Sequence, residues 1–370
     1  MSARFLTVVL ERAFNMRDGF GREIDYMRIS VIDSCNLNCY YCNPCDNNEH
    51  CHALNILSVK EVLCIVRAAT RLGIKHFRLT GGEPLLHPQL DEMVLQIKKI
   101  PGVSSVSLTT NAVLLAQHAK WLKEAGIDSI NVSLDTIDAS EYERITKKPL
   151  LDKVEQGIDA AIECGIRVKI NVVLTPQTDV VALTRYVAKK GIDIRFIEMM
   201  PVGEGHTNGV EPYKKVIGTL SKLYGEPCRI NTEKTKEINS GNDKRKIPDN
   251  GPAEYYIFPE LGIRVGLIQA IHGKFCDTCN RIRVTADGRL MPCLGSSVTM
   301  DLVPDSWDFA DDVEKDFVIV QALKAAIKAK PGCHNFNDNA VTYTKTTETK
   351  TTEIEAAEVN AARNMSRIGG

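Results

Sequence analysis

Six of the chain's twelve cysteines fall in two tight groups, and their spacing limits the chemistry they can do. Cys35, Cys39 and Cys42 lie within eight residues, just after the apolar run Tyr26-Met-Arg-Ile-Ser-Val-Ile32. Thiolates are soft ligands that select zinc, copper(I) or iron–sulfur clusters. Three thiols on one loop can hold three corners of a cubane cluster and leave the fourth iron without a protein ligand. An open metal position is where chemistry takes place, as at catalytic zinc sites. A closed zinc site competes with this account, because Cys45, His50, Cys51 and His52 lie nearby. The second group is Cys276, Cys279 and Cys293, with Asp287-Gly288 suggesting a hairpin that brings Cys293 back. It suits either a second iron–sulfur cluster with one open iron or a zinc ribbon completed by His272 or Cys333.

Other residues with chemical capacity sit inside or just beyond apolar runs. In Thr80-Gly-Gly-Glu-Pro84 the glycines let a ligand approach the backbone closely. An ordinary strand-to-helix turn would also use them. Thr109-Thr110-Asn111 and Asn131–Asp135 close two further runs, either as ligand-side residues of an α/β barrel or as turn and cap residues. Arg28, Arg78 and Lys169 interrupt apolar segments, and Arg281 and Arg283 share a face if their segment is extended. Guanidinium forks match phosphate oxygens, so these four arginines and Lys169 around one cavity would suit a triphosphate. A solvated strand face and a snorkelling edge lysine are the alternatives. Arg195 and Glu198 could pair with each other. Met200 could pack against an adenine or simply fill the core. Gly369-Gly370 could enter a narrow site or fray.

The elements that must position these groups follow a regular rhythm. Strands are expected at 26–32, 75–80, 103–109, 129–134, 168–174 and 192–197, alternating with helices at 58–72, 90–100, 114–125, 151–164 and 180–190. Ser58 with Glu61 makes a capping box, and Gly73, Gly126 and Gly165 follow helix ends. Six strands alternating with five helices make an α/β fold. With fewer than the eight units of a closed barrel, the expectation is an incomplete, six-strand, three-quarter TIM-type barrel, with the C-terminal Cys-rich region closing its open side. The expected division is an N-terminal extension over 1–25, the partial barrel over 26–203, the region of the second thiol group over 204–334 and a tail over 335–370. Within the third part a helix is expected over 212–223, an exposed loop over 231–254, strands over 255–258 and 263–268, and a helix over 310–330.

Lys+Arg 46 against Asp+Glu 47 leaves a net charge of −1, which argues against nucleic acid or a membrane surface as partner. An apolar fraction of 44% supports a sizeable core. Clustered cysteines in a chain this long suggest metal sites in a reducing compartment, and no apolar stretch is long enough for a membrane span. The expected location is therefore cytoplasmic.

The Cys35–Cys42 pattern, Thr80-Gly-Gly-Glu-Pro84, Thr-Thr-Asn111, Ile-Asn-Val-Ser-Leu-Asp135, Arg-Phe-Ile-Glu198 and Phe-Cys-Asp-Thr-Cys-Asn-Arg-Ile-Arg283 with Leu-Met-Pro-Cys-Leu294 together resemble radical S-adenosylmethionine (SAM) enzymes. Among these they resemble the GTP 3',8-cyclase family of molybdenum cofactor biosynthesis, a family of lyases. The resemblance runs from about residue 15 to 334 and resumes at the Gly-Gly. It implies two [4Fe–4S] clusters, one on Cys35, Cys39 and Cys42 and one on Cys276, Cys279 and Cys293. It implies SAM contacts by Tyr41, Gly82, Ser133 and Met200, and GTP contacts by Arg28, Arg78, Thr109, Lys169, Arg281 and Arg283. Arg281, Arg283, Gly369 and Gly370 would assist the radical step. SAM would split to methionine and a 5'-deoxyadenosyl radical that takes the ribose C3' hydrogen of GTP, and C3' would then attack guanine C8. The implied partners are an electron donor protein and a downstream cyclic pyranopterin monophosphate synthase, with the chain a monomer or homodimer. One departure is His76, where the family often has lysine. Three other readings would be a radical SAM peptide-modifying enzyme, a zinc-stabilised binding protein and a plain electron carrier.

Overall fold

A computed structural model of the chain describes residues 16–42, 55–202, 210–230, 251–296, 298–302, 312–334 and 336. Its frame is one sheet. The first six strands are β1 Tyr26–Ser30, β2 His76–Thr80, β3 Ser105–Thr110, β4 Ser129–Ser133, β5 Val168–Val173 and β6 Asp193–Ile197. They pair in parallel in chain order. Parallel pairing requires crossovers, which are made by α1 Val59–Arg71, α2 Leu90–Lys98, α3 Leu115–Glu124, α4 Ala139–Thr146, α5 Leu151–Glu163 and α6 Val180–Lys190.

The later strands are β7 Cys228–Arg229, β8 Glu254–Ile257, β9 Arg264–Ile268, β10 Arg281–Val284, β11 Arg289–Met291 and β12 Met300–Asp301. β9 joins β6 in parallel and β10 joins β1 in parallel, so the C-terminal part of the chain extends both edges of the first six strands. β8 and β7 continue antiparallel beyond β9, and β11 and β12 beyond β10. The order is β12-β11-β10-β1-β2-β3-β4-β5-β6-β9-β8-β7. The remaining helices are α7 Gly218–Tyr224, between β6 and β7, and α8 Asp312–Lys328, after β12.

Alternation along the strands divides their side chains between two faces. Met27, Ile29, Phe77, Leu79, Leu108, Ile130, Val132, Ile170, Val172, Ile194 and Phe196 are fully buried. They pack in one apolar cluster with Val62, Ile65 and Val66 of α1, Val94 and Ile97 of α2 and Ile158 of α5. The other face carries polar residues.

The first six strands and their long helices lie within about two residues of their expected bounds. α1 starts at the expected box, with the Ser58 hydroxyl accepting from Glu61 N–H at 3.3 Å and Glu61 accepting from Ser58 N–H at 2.6 Å. α4 was not expected. It is short, and of its turns only Tyr142, Ile145 and Thr146 are buried, so it lacks a long apolar period. Asp138 caps it by accepting from Glu141 N–H at 2.8 Å. The helix expected over 212–223 is a wide turn at Tyr213–Ile217 followed by α7. Among the described residues no helix is long and apolar enough to cross a membrane. Cys45, His50, Cys51, His52, most of the loop expected over 231–254, nearly all of the tail and the Gly369-Gly370 pair lie outside the described residues.

Candidate active site

The polar face of the sheet surrounds a cavity of about 740 Å³. Its walls are every second residue of the strands: Tyr26 and Arg28, His76 and Arg78, Ser107 and Thr109, Asn131 and Ser133, Lys169 and Asn171, and Arg195. Strand register turns this alternation into a belt. Arg283, Arg28, Arg78 and Ser107 are successive cross-strand partners. Thr109, Asn131 and Lys169 make a second row, and Asn171 faces Arg195.

The first thiol triplet follows the C-terminal end of β1. Residues 32–34 and 81–83 run side by side here, with Gly82 N–H donating to Ile32 C=O and Glu83 N–H to Ser34 C=O, each at 2.8 Å. A Cβ on Gly82 would lie 2.1 Å from the Ser34 carbonyl oxygen. This glycine is thus demanded by the neighbouring chain that leads into Cys35. Glu83 is fully buried and accepts from the Thr110 hydroxyl at 2.6 Å, Asn111 N–H at 2.7 Å and Leu85 N–H at 3.1 Å. Burial raises its carboxyl to about 7. The Tyr41 hydroxyl donates to Asp135 at 2.5 Å, and Asp135 also accepts from Val173 N–H at 2.8 Å. Burial raises Asp135 to about 6. Burial also pushes Cys35 up to about 11 and Cys42 to about 12, with Glu83 adding to the first and Cys35 to the second. Cys39 is raised by burial, Cys42 and Asp135.

The second triplet lies at the opposite end of the strands. Cys276 and Cys279 precede β10, which runs parallel to β1, and Cys293 follows β11, which runs back antiparallel. The hairpin turns at Gly288, whose φ of 76° favours glycine. Burial raises the Cys276 thiol. It acts on Cys279 the same way, but the Arg281 guanidinium and the Lys330 ammonium override it and lower that thiol to about 7.

Between the two triplets the cations crowd together. Burial and then the Arg283 charge hold Arg28 well below its usual range, and burial and Arg281 bring Arg283 to about 10. Burial alone would raise the Tyr26 hydroxyl, but Arg78 and Arg28 lower it. Arg78 donates to that hydroxyl at 2.5 Å, to Leu108 C=O at 3.1 Å and to the Thr109 hydroxyl at 3.4 Å. Lys169, 4% exposed, donates to the Tyr255 hydroxyl at 3.4 Å. So much like charge around one space is relieved by a polyanion.

All six clustered cysteines line this cavity. So do Tyr41, Gly82, Ser133 and Met200, and Arg28, Arg78, Thr109, Lys169, Arg281 and Arg283. Arg195 donates to Asn171 at 2.9 Å, while Glu198 accepts from the N–H groups of Ile271 and His272 and engages the His272 ring. Sequence reasoning missed Tyr26, Asn171, Tyr255 and Lys330. The first two share the strand alternation of Arg28 and Lys169, a signal that was there to use. Tyr255 and Lys330 come from distant segments.

The clustered thiols are free of disulfides. Among the described residues no three His, Cys, Asp or Glu side chains converge on a single metal ion. Three free thiols suit a polynuclear cluster, in which each thiolate binds its own iron.

A parallel α/β sheet with a thiol triplet just beyond β1 and a glycine loop beyond β2 defines the class. The profile described as radical SAM superfamily matches residues 29–197, and the one described as Molybdenum Cofactor Synthesis C matches residues 192–336. The chain belongs to the GTP 3',8-cyclase family of that superfamily. It is 36% identical over 324 residues to a "GTP 3',8-cyclase" of Clostridium perfringens (strain SM101 / Type A), covering 87% of this chain and 95% of the relative. It is also 36% identical over 323 residues to that of Listeria monocytogenes serovar 1/2a, covering 86% and 92%. In fold it is similar to Streptococcus suis SuiB bound to S-adenosylmethionine, with a TM-score of 0.55 at 15% identity, covering 80% of this chain and 68% of SuiB.

Proposed function

We propose that this chain is a GTP 3',8-cyclase, converting GTP to 3',8-cyclo-7,8-dihydro-GTP in the first step of molybdenum cofactor biosynthesis. The observation that carries this reading is the single cavity shared by both thiol triplets and the arginine belt. The donor sets fit two [4Fe–4S] clusters, since each offers three free, soft thiols. When bound, the clusters and SAM supply one-electron reduction and removal of hydrogen from ribose C3'.

Cys35, Cys39 and Cys42 would hold one cluster, and Cys276, Cys279 and Cys293 the other. Tyr41, Gly82, Ser133 and Met200 lie on the side of the first triplet, at or beyond the C-terminal ends of the strands, and would meet SAM. Arg28, Arg78, Thr109, Lys169, Arg281 and Arg283 would take GTP, with guanidinium forks on phosphate oxygens. C3' and C8 belong to one GTP molecule, and holding ribose and guanine in one orientation would present C3' to C8. The walls shield the reacting carbon from water. Gly369 and Gly370 would enter near Arg281 and Arg283 and assist that step.

We read residues 1–25 as an extension, 26–203 as a six-strand, three-quarter barrel, 204–334 as the region closing its open side and 335–370 as a tail. The join falls near the overlap of the two family profiles. An electron donor protein and a downstream cyclic pyranopterin monophosphate synthase complete the reading, with the chain cytoplasmic and a monomer or homodimer. The test is to incubate the reconstituted protein with SAM, dithionite and GTP deuterated at C3'. Deuterium is expected in 5'-deoxyadenosine. Label kept entirely on GTP despite SAM turnover overturns the substrate.

A further inference from the structure

The chain leaves the end of α8 through Lys330-Pro331-Gly332, beside the second triplet. Lys330 is 2% exposed. Its ammonium donates to Arg281 C=O at 2.8 Å and to Pro292 C=O at 2.9 Å. Arg281 lies two residues past Cys279, and Pro292 immediately precedes Cys293. One cation thus bridges the two segments that carry two of the three thiols.

The third thiol segment is tied from the other side. The Arg22 guanidinium donates to Cys276 C=O at 2.7 Å, Pro331 C=O at 2.6 Å and Gly332 C=O at 2.9 Å, while Asp18 accepts from its Nε at 2.6 Å. All three thiol segments therefore converge on a short turn that supplies no thiol of its own to the triplet. An ammonium is expensive to bury, and an apolar side chain would fill the same volume at less cost. What an apolar side chain lacks is the set of hydrogen bonds and the charge. Partners beyond the direct ligands orient a metal site, and hydrogen bonds and charge at the sulfurs set a cluster's potential.

We propose that Lys330 is a positioning residue of the second metal centre. It fixes the spacing of Cys279 and Cys293 and, by its charge, holds that centre's reduction potential up. The inference rests on the functional reading above, which places a cluster there.

The test uses the full chain, anaerobically reconstituted, as wild type, K330M, K330Q and K330R. The readouts are iron and sulfide per chain, midpoint potentials by EPR-monitored redox titration, and SAM cleavage without GTP. K330M and K330Q are expected to bind the second cluster about 10- to 100-fold more weakly, and the cluster they retain should have a more negative midpoint. The first centre's iron and the SAM cleavage should persist, and K330R should restore the potential toward wild type. Full iron at an unchanged second midpoint in both K330M and K330Q overturns the proposal. Equal loss of iron from both triplets also overturns it, since that marks a general folding role. Wild-type protein without iron on either triplet defeats the functional reading itself, whereas wild type with two centres and an indifferent Lys330 defeats this inference alone.

Discussion

Beyond the C-terminal end of β1, Cys35, Cys39 and Cys42 sit near the buried carboxyls of Glu83 and Asp135; burial pushes all three thiols up, with Glu83 adding at Cys35 and neighbouring thiols at Cys39 and Cys42. At the opposite end, before β10, Cys279 sits beside Arg281 and Lys330 and is pulled down to about 7. The ligand sets are the same, but their surroundings are opposite in sign. Carboxylates nearby disfavour an added electron and cations favour it, so the first centre should be the stronger reductant and the second the easier to reduce. That difference fits a site in which one end starts a reaction and the other seats a polyanionic substrate.

The most severe way to break the comparison is to remove one thiol from each end. C39A should abolish both SAM cleavage and GTP conversion. C279A should lower GTP conversion more than about 100-fold while SAM cleavage continues. Chromatography of 5'-deoxyadenosine and the cyclised nucleotide reads both. Loss of SAM cleavage in C279A would end the division of labour.

Next in size is the belt between the ends. R283M removes a charge-assisted contact worth about 1.5–3 kcal/mol, so KM for GTP should rise about 10- to 150-fold, with SAM cleavage in the absence of GTP unchanged. Steady-state kinetics would show whether the loss falls on kcat instead.

A smaller effect comes from the backbone crossing beside Cys35. G82A places a methyl against the Ser34 carbonyl and should destabilise by about 1–3 kcal/mol, as overpacking does. Iron should fall at the first centre and stay at the second, which iron analysis with EPR separates.

A further effect is a pH dependence beside the first triplet. Glu83 titrates at 4.5 unfolded and at about 7 folded. The unfolded chain thus releases this proton first as pH rises. Its contribution to stability is complete below 4.5 and fades through 7, by at most about 1.4 kcal/mol for each pH unit. E83Q should flatten that slope in thermal unfolding at pH 5, 6 and 7. An unchanged slope would mean that Glu83 is not the group responsible.

What the sequence determined by itself was local. Thiol spacing marked both triplets, and period-2 interruption of apolar runs marked Arg28, Arg78 and Lys169, because ligand softness and strand alternation act over a few residues. The helix α4 was hidden because its buried face is only three residues long. Only the tertiary structure decided that β10 lies parallel beside β1, which sets the triplets at opposite edges of one cavity. It alone decided that the Gly82 backbone is crowded by Ser34, and that Arg22 and Lys330 meet loops 254 and 49 residues away in sequence. Strand pairing and electrostatic surroundings depend on which distant segments the fold brings together, and no spacing within a motif records that.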